Sequence, residues 1–257
     1  MITINELYRI YAGIFGALIG SFLNVVIYRL PLGKDLALER SHCPACKSLV
    51  PFWHNIPILS WLILRGKCSS CNTKISVQYF LVEIITAVIF ALSFPEEISA
   101  ANMWVWGLKA SLSSVLICHF FIDLKHKLLL DVLNIYLLCI ILPFVLVYHS
   151  PLHWIMGGAF GLLAPMGVSW GFYKWKGKVG LGGGDIKLWG VLGIYLGLQG
   201  VIENIFYSCF VGSIVGLGLI FFKKYDHDGG IPFGPFIILV AFFQIYLPSL
   251  LDLVRIF

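Results

Sequence analysis

The stretch Lys178-Val-Gly-Leu-Gly-Gly-Gly-Asp185-Ile-Lys187 decides how this chain is read. Taken as a phosphate cradle, it demands a βαβ nucleotide-binding fold. Taken as the approach to an apolar helix, it demands a membrane protein with an acid at the bilayer surface. The cradle fails on local grounds: the Gly-Lys-Ser or Gly-Lys-Thr ending is missing and no βαβ unit surrounds the glycines. A loose turn and a catalytic acid remain, and the flanking sequence must choose between them.

The flanks are apolar along the whole chain. Of 257 residues, 59% are hydrophobic and 12% charged, with a mean hydropathy of +0.91, whereas soluble domains carry roughly 25% charged residues. The sequence is that of an all-α polytopic membrane protein with membrane lipid as its surroundings. Spans of about 20 residues are needed to cross a bilayer. Apolar runs bounded by charge predict about eight, at 10–28, 79–94, 104–122, 128–148, 152–173, 186–198, 202–222 and 235–253. The sixth is short for a full crossing, and either starts below the bilayer surface or borrows length from its polar flank.

The net charge of +5 reports topology, not affinity for nucleic acid, and no nucleic-acid partner is expected. Segment 29–78 holds seven Lys and Arg residues, 123–127 two, 174–187 four and 223–234 two, fifteen of the eighteen in the chain. These segments alternate along the chain and so share one side, while Glu6, Glu96, Glu97 and Glu203 lie in or near the opposite loops. The asymmetry predicts that the basic side is cytoplasmic and that both termini are external. The first apolar run is too long for a signal-peptide core and lacks a small-residue cleavage site, so it reads as a retained span.

Segment 29–78 is the one long polar stretch. It contains Cys43-Pro-Ala-Cys46, then twenty-one residues, then Cys68-Ser-Ser-Cys71. Two CxxC pairs at this separation fit a four-thiolate tetrahedral zinc site, a small zinc-ribbon-like insertion. Nearby Lys47, Arg65, Lys67 and Lys74 favour thiolate over thiol. Two disulfides are the alternative, disfavoured in a reducing compartment. Four thiolates leave no open position for water, so the expected zinc is structural. Cys118, Cys139 and Cys209 fall in spans and are expected as buried small apolar residues.

Two acids stand at cytoplasmic span ends. Asp123 lies in Phe120-Phe-Ile-Asp123-Leu-Lys-His126-Lys-Leu-Leu-Leu-Asp131, and Asp185 follows the glycine run, with sixty-one residues between them. Two carboxylates in one partly dehydrated site titrate as a pair and share a proton. The charged member then takes a proton from water while the protonated member polarises a peptide carbonyl, as in aspartic proteolysis. The glycines beside Asp185 give an extended peptide room to approach. The bland alternative pairs Asp123 with Lys125 or Lys127 and Asp185 with Lys187, with Asp131 capping or bridging its helix and His126 as an interfacial polar residue.

As an ordered set these elements resemble the type IV prepilin peptidases, the bifunctional leader peptidase/N-methyltransferases. The resemblance rests on Gly20-Ser-Phe-Leu-Asn-Val-Val-Ile-Tyr-Arg-Leu-Pro31, the double CxxC, Asn55-Ile-Pro-Ile-Leu-Ser-Trp61, Leu64-Arg-Gly-Lys-Cys68, Phe121-Ile-Asp123-Leu-Lys-His126, the GxGD element Gly182-Gly-Gly-Asp185, and Ile231-Pro-Phe-Gly-Pro235. It implies a multi-pass enzyme of the bacterial inner membrane, active at the cytoplasmic face, with Asp123 and Asp185 as the catalytic aspartates. The implied substrates are prepilins and the pseudopilins of type II secretion, cleaved after glycine at the end of a short basic leader. The new N-terminal residue, usually Phe, is then methylated from S-adenosylmethionine.

By the same resemblance the N-terminal half carries methyl transfer, with Gly20, Asn24 and Arg29 as candidate donor-binding residues. Their structural alternatives are close helix packing, an interhelical hydrogen bond and an interfacial anchor. The implied organisation is a first transmembrane helix at 1–28, a zinc-binding loop domain at 29–78 and a transmembrane peptidase domain at 79–257. Asp35, Glu39, Asp226 and Asp228 are the acids available to receive the leader. Leu130 and Phe80 stand where the family commonly has proline, which puts two helix starts in question. Two rival readings are a GxGD peptidase without methyl transfer, and a non-enzymatic scaffold or transporter with a zinc module.

Overall fold

The computed structural model describes residues 3–36, 41–178, 180–222 and 231–247. Glu39, Asp226, Asp228 and the end of the predicted last span lie outside them. Among the described residues the chain is helical, with two isolated β-bridges and no strand. The helices are α1 (Ile4–Arg29), α2 (Leu59–Ile63), α3 (Val77–Leu92), α4 (Ala100–His126), α5 (Asp131–Tyr148), α6 (Pro151–Lys176), α7 (Gly183–Phe221) and α8 (Gly234–Tyr246). Helices α1, α4, α5, α6 and α7 are long and apolar enough to cross a membrane, and α3 and α8 are shorter apolar helices. The chain forms two compact units, Met1–Cys118 and His119–Phe257.

In the first unit α1 starts with a reciprocal cap: the Glu6 N–H donates to Thr3 Oγ1 and the Thr3 N–H to Glu6 Oε2, satisfying two orphan donors. Helices α1 and α3 run antiparallel and touch through glycine. A Cβ on Gly16 would meet Thr86 O and Phe90 Cβ at 2.8 Å, and one on Gly20 would meet Glu83 Cα at 2.7 Å. A small-xxx-small stripe thus lets two backbones close up where lipid supplies no hydrophobic drive. Helix α3 starts without the family's proline, capped by the Ser76 hydroxyl, which accepts from the Gln78 N–H.

In the second unit the predicted sixth and seventh spans are two arms of α7. At Gly197 the backbone leaves helical space, with φ 74° and ψ −179°. Trp189 Nε1 donates to Asn204 Oδ1 at 2.9 Å, yet fifteen residues of straight helix would separate the two by about 22 Å. The chain therefore reverses at Gly197. Asn204 Nδ2 donates to Gln244 Oε1 of α8, and Gln244 Nε2 donates to Gly200 O, so one buried polar network ties both arms to the last helix. Backbones of α6 and α7 meet at Gly157 and Gly193, where a Cβ on either would run into the other's carbonyl oxygen.

Helix α5 also starts without proline, from an extended Leu130. One expectation needs correcting. Cys118 is buried, but Cys139 and Cys209 are exposed. For a membrane helix the lipid is itself an apolar environment, so a small apolar residue need not face protein.

Candidate active site

Asp123 lies in the last turn of α4 and is 4% exposed. The helix stops four residues later because Lys127 adopts a left-handed conformation, φ 54°, with its N–H on the Asp123 carbonyl at 2.8 Å. Residues 127–130 then run without helix to α5, which sets Leu129 beside the site.

Asp185 is the third residue of α7, behind the N-cap Gly182. The Gly182 N–H faces the Asp185 carboxylate, and the helix N-terminus favours negative charge there. The glycines have a steric reason too. A Cβ on Gly182 would sit 2.8 Å from Asp185 Oδ2, and one on Gly184 2.8 Å from Leu129 Cβ.

Helix α8 closes the arrangement. A Cβ on Gly234 would lie 2.7 Å from Asp123 Oδ2 and 3.1 Å from Leu129 Cδ2, and the Gly234 N–H faces the Asp123 carboxylate. Asp123 Oδ2 is buried without a well-formed hydrogen bond. The end of α4 and the starts of α7 and α8 thus converge on Leu129, and they bring Asp123 within electrostatic reach of Asp185. One turn below Asp123, the fully buried His119 faces Asn134.

Lys187 does not pair with Asp185. Its Nζ reaches both Asp131 oxygens at 2.8 Å, across fifty-six residues of sequence. That ion pair rims an apolar groove of about 610 Å³ between α5, α6 and α7, lined by Ile135, Leu138, Ile155 and Val191.

The cysteines form twin knuckles. The Cys43 N–H donates to Ser48 O, and the Cys68 N–H to Thr73 O, each at 2.9 Å. Lys47 and Asn72, each just after the second cysteine of its pair, take φ 56° and 58°. The four Sγ atoms lie within 4.8 Å of one another. Zn–S bonds of about 2.3 Å place tetrahedral sulfurs about 3.8 Å apart, and Cys43 Sγ to Cys71 Sγ is 3.8 Å. The Ser48 hydroxyl and N–H hold the Cys46 thiol down to about 6, and the Cys71 and Ser70 N–H groups lower Cys68. The donor set, its size and its charge all fit zinc.

The candidate methyl-donor residues separate. Gly20 meets Glu83 Cα as described, and Asn24 Nδ2 donates to Tyr79 O at 3.0 Å while its Oδ1 is buried and unpartnered. Arg29, buried, donates to Asp35 O at 3.1 Å and lines a cavity of about 340 Å³ with Phe22, Val25, Phe52 and Asn55. That volume reaches the lower end of small-ligand sites, roughly 300 Å³.

Sequence reasoning quoted Ile231-Pro-Phe-Gly-Pro235 without giving Gly234 a task, and overlooked Leu129. A glycine directly before a proline, at the start of a span, was the available signal for the first. Leu129 carries no signal, since only the fold brings Gly184 and Gly234 onto it.

Residues 14–96 match the family model described as the Bacterial Peptidase A24 N-terminal domain, and residues 110–217 match the Type IV leader peptidase family. The chain is similar to the prepilin leader peptidase/N-methyltransferase of Aeromonas hydrophila, 37% identical over 250 residues that cover 87% of this chain and 85% of the relative. The proteins of that name from Pseudomonas aeruginosa and Legionella pneumophila are 35% and 33% identical, covering 87% and 88% of this chain and 85% and 86% of theirs. No solved structure matches. With both halves matched in order and relatives aligned over most of their length, this chain belongs to the type IV leader peptidase family.

Proposed function

We propose that this protein is a bacterial inner-membrane prepilin leader peptidase and N-methyltransferase, with Asp123 and Asp185 as its proteolytic dyad. The observation that carries the reading is the convergence of the two carboxylates within electrostatic reach of each other, at the joined ends of α4, α7 and α8. A scaffold would have no need of it. The family resemblance of both halves to bifunctional enzymes favours the two-activity reading over a peptidase alone.

One carboxylate, ionised, takes a proton from water as the water oxygen bonds to the scissile carbonyl carbon; the other, protonated, donates to the carbonyl oxygen. Collapse breaks the C–N bond, and a proton from the dyad goes to the departing amine. A prepilin joins a basic cytoplasmic leader to an apolar helix, so its scissile bond lies at the interface where the charge asymmetry sets these acids.

S-adenosylmethionine, when bound, supplies an electrophilic methyl group to the new N-terminal amine. Of this chain's residues, Arg29 with Phe22 and Asn55 would hold it, while Gly20 and Asn24 shape the wall between α1 and α3. Zinc would be held by Cys43, Cys46, Cys68 and Cys71, fixing the insertion that supplies Asn55. Mass spectrometry of a prepilin incubated with the purified protein and the methyl donor tests the proposal. Loss of the leader after glycine with gain of one methyl is expected; an intact precursor would reject it.

A further inference from the structure

The sequence between the two zinc knuckles reads as part of a cytoplasmic loop, yet its contacts tie it into the membrane. Helix α3 has 16 residues, about 24 Å at 1.5 Å each, against a hydrocarbon core of about 30 Å. A helix this short has no turn to spare outside the core. Glu83, 8% exposed, lies six residues in from its start, about 9 Å along the axis. The Ile58 N–H donates to Glu83 Oε2 at 2.7 Å, so Ile58 shares that depth.

The neighbours of Ile58 follow it. Trp61 stacks on Phe80 of α3 with ring centroids 4.8 Å apart, and the Ser60 hydroxyl donates to Trp53 O at 3.0 Å. Irregular backbone is tolerated at membrane depth only where its polar groups are satisfied. Here Pro51 and Pro57 have no N–H, the Ile58 N–H has a carboxylate, and the N–H groups of His54, Leu59, Ser60 and Leu62 donate to the carbonyls of Pro51, Pro57, Ile56 and Ile58. Ile58 itself holds φ 65°, a costly conformation for a β-branched residue that persists only when its surroundings impose it.

The outward side of this segment is mostly apolar, with Asn55 as its exposed polar residue. Phe52 is 76% exposed and Ile63 77%, with Trp53, Ile56, Leu59 and Leu62 between them also exposed. Exposed residues of α3 itself, Leu81, Ile85 and Val88, continue the same kind of surface. Lys47, Arg65, Lys67 and Lys74 flank the segment, a complement to anionic headgroups. We infer that residues 52–63 form a re-entrant wedge whose Phe52, Trp53, Leu59 and Ile63 lie among the lipids of one leaflet. The occupant of this face is the bilayer, and the knuckles sit over headgroups of that leaflet. The inference rests on the membrane reading of α3 and is independent of the peptidase assignment.

The test uses the zinc-loaded full chain in phosphatidylethanolamine/phosphatidylglycerol nanodiscs, in a Cys139→Ser, Cys209→Ser background. Ile63→Cys and, separately, Phe52→Cys are labelled with an environment-sensitive fluorophore, and the unsubstituted background gives the blank. Val88→Cys, on α3, is the lipid control and Lys74→Cys, on the second knuckle, the aqueous control. Lipids with doxyl-labelled acyl chains should quench positions 63 and 52 as strongly as 88 and severalfold more than 74, and aqueous iodide should quench only 74. Quenching at 63 and 52 that matches position 74 would overturn the wedge. So would blue-shifted emission that neither quencher reaches, because protein, whether a second copy or a substrate helix, would then cover the face.

Discussion

Replacing Gly234 with alanine perturbs the proposed dyad without touching a carboxylate. The new Cβ would sit 2.7 Å from Asp123 Oδ2 and 3.1 Å from Leu129 Cδ2, where ordinary contact begins at 3.4 Å. Asp123 is 4% exposed and Leu129 is held against Gly184, so the carboxylate must move. The displacement needed is about 0.7 Å, and misplacing a reacting group by about 1 Å costs about a hundredfold in rate. Gly234→Ala should therefore lower kcat for leader cleavage by roughly ten- to a hundredfold, about 1.4–2.8 kcal/mol of barrier, with little change in KM. The assay is initial-rate cleavage of a synthetic prepilin segment in detergent. Methylation of already-cleaved pilin serves as the folding control, since Gly234 belongs to the second unit. Gly167→Ala, where an added Cβ meets nothing within 4 Å, is the steric control. A Gly234→Ala protein that methylates normally and cleaves at the parent rate would refute the steric reasoning.

Metal analysis should find one zinc per chain, and Cys43→Ser or chelation should lower the melting temperature and methylation before it alters cleavage. Cys46 is held to about 6 against an ordinary value of 9.0 and Cys68 is also lowered, while Cys43 is raised. A depressed thiol contributes its stabilisation above the ordinary value and loses it as pH falls through the depressed one. Zinc displaces the thiol protons, so retention should fall as pH falls, and retention unchanged well below pH 6 would contradict the thiolate assignment. Gly193→Ala drives a methyl into the Gly157 carbonyl, and should cost about 1–3 kcal/mol of thermal stability; an unchanged melt would mean the two backbones are further apart.

Much of this architecture is legible in the sequence because lipid imposes it. A span must be apolar over its length, so hydropathy finds α1, α3 to α6, both arms of α7 and α8, and CxxC spacing finds the zinc knuckles. The reversal at Gly197 was legible only as a gap between two runs, since the network of Trp189, Asn204 and Gln244 is spread over fifty-six residues. The pairing of Asp131 with Lys187 is equally remote in sequence, and local spacing proposed Lys187 for Asp185 instead.

Residues 52–63 are too short, and too interrupted by His54, Asn55 and Pro57, to register as a span, although Glu83 ties Ile58 to α3. Cys139 and Cys209 were misjudged by a rule for soluble cores, where apolar means inward. Of the candidate site, the two acids stood out because charge is rare in these spans, whereas Gly234 and Leu129 gain their meaning from helices that meet only in three dimensions.

The most direct measurement compares Asp123→Asn and Asp185→Asn with the parent protein, each inserted in membranes, given a prepilin and, separately, cleaved pilin with the methyl donor. Both variants should leave the precursor intact while methylating cleaved pilin at the parent rate. Leader cleavage that survives in both single variants would contradict the dyad.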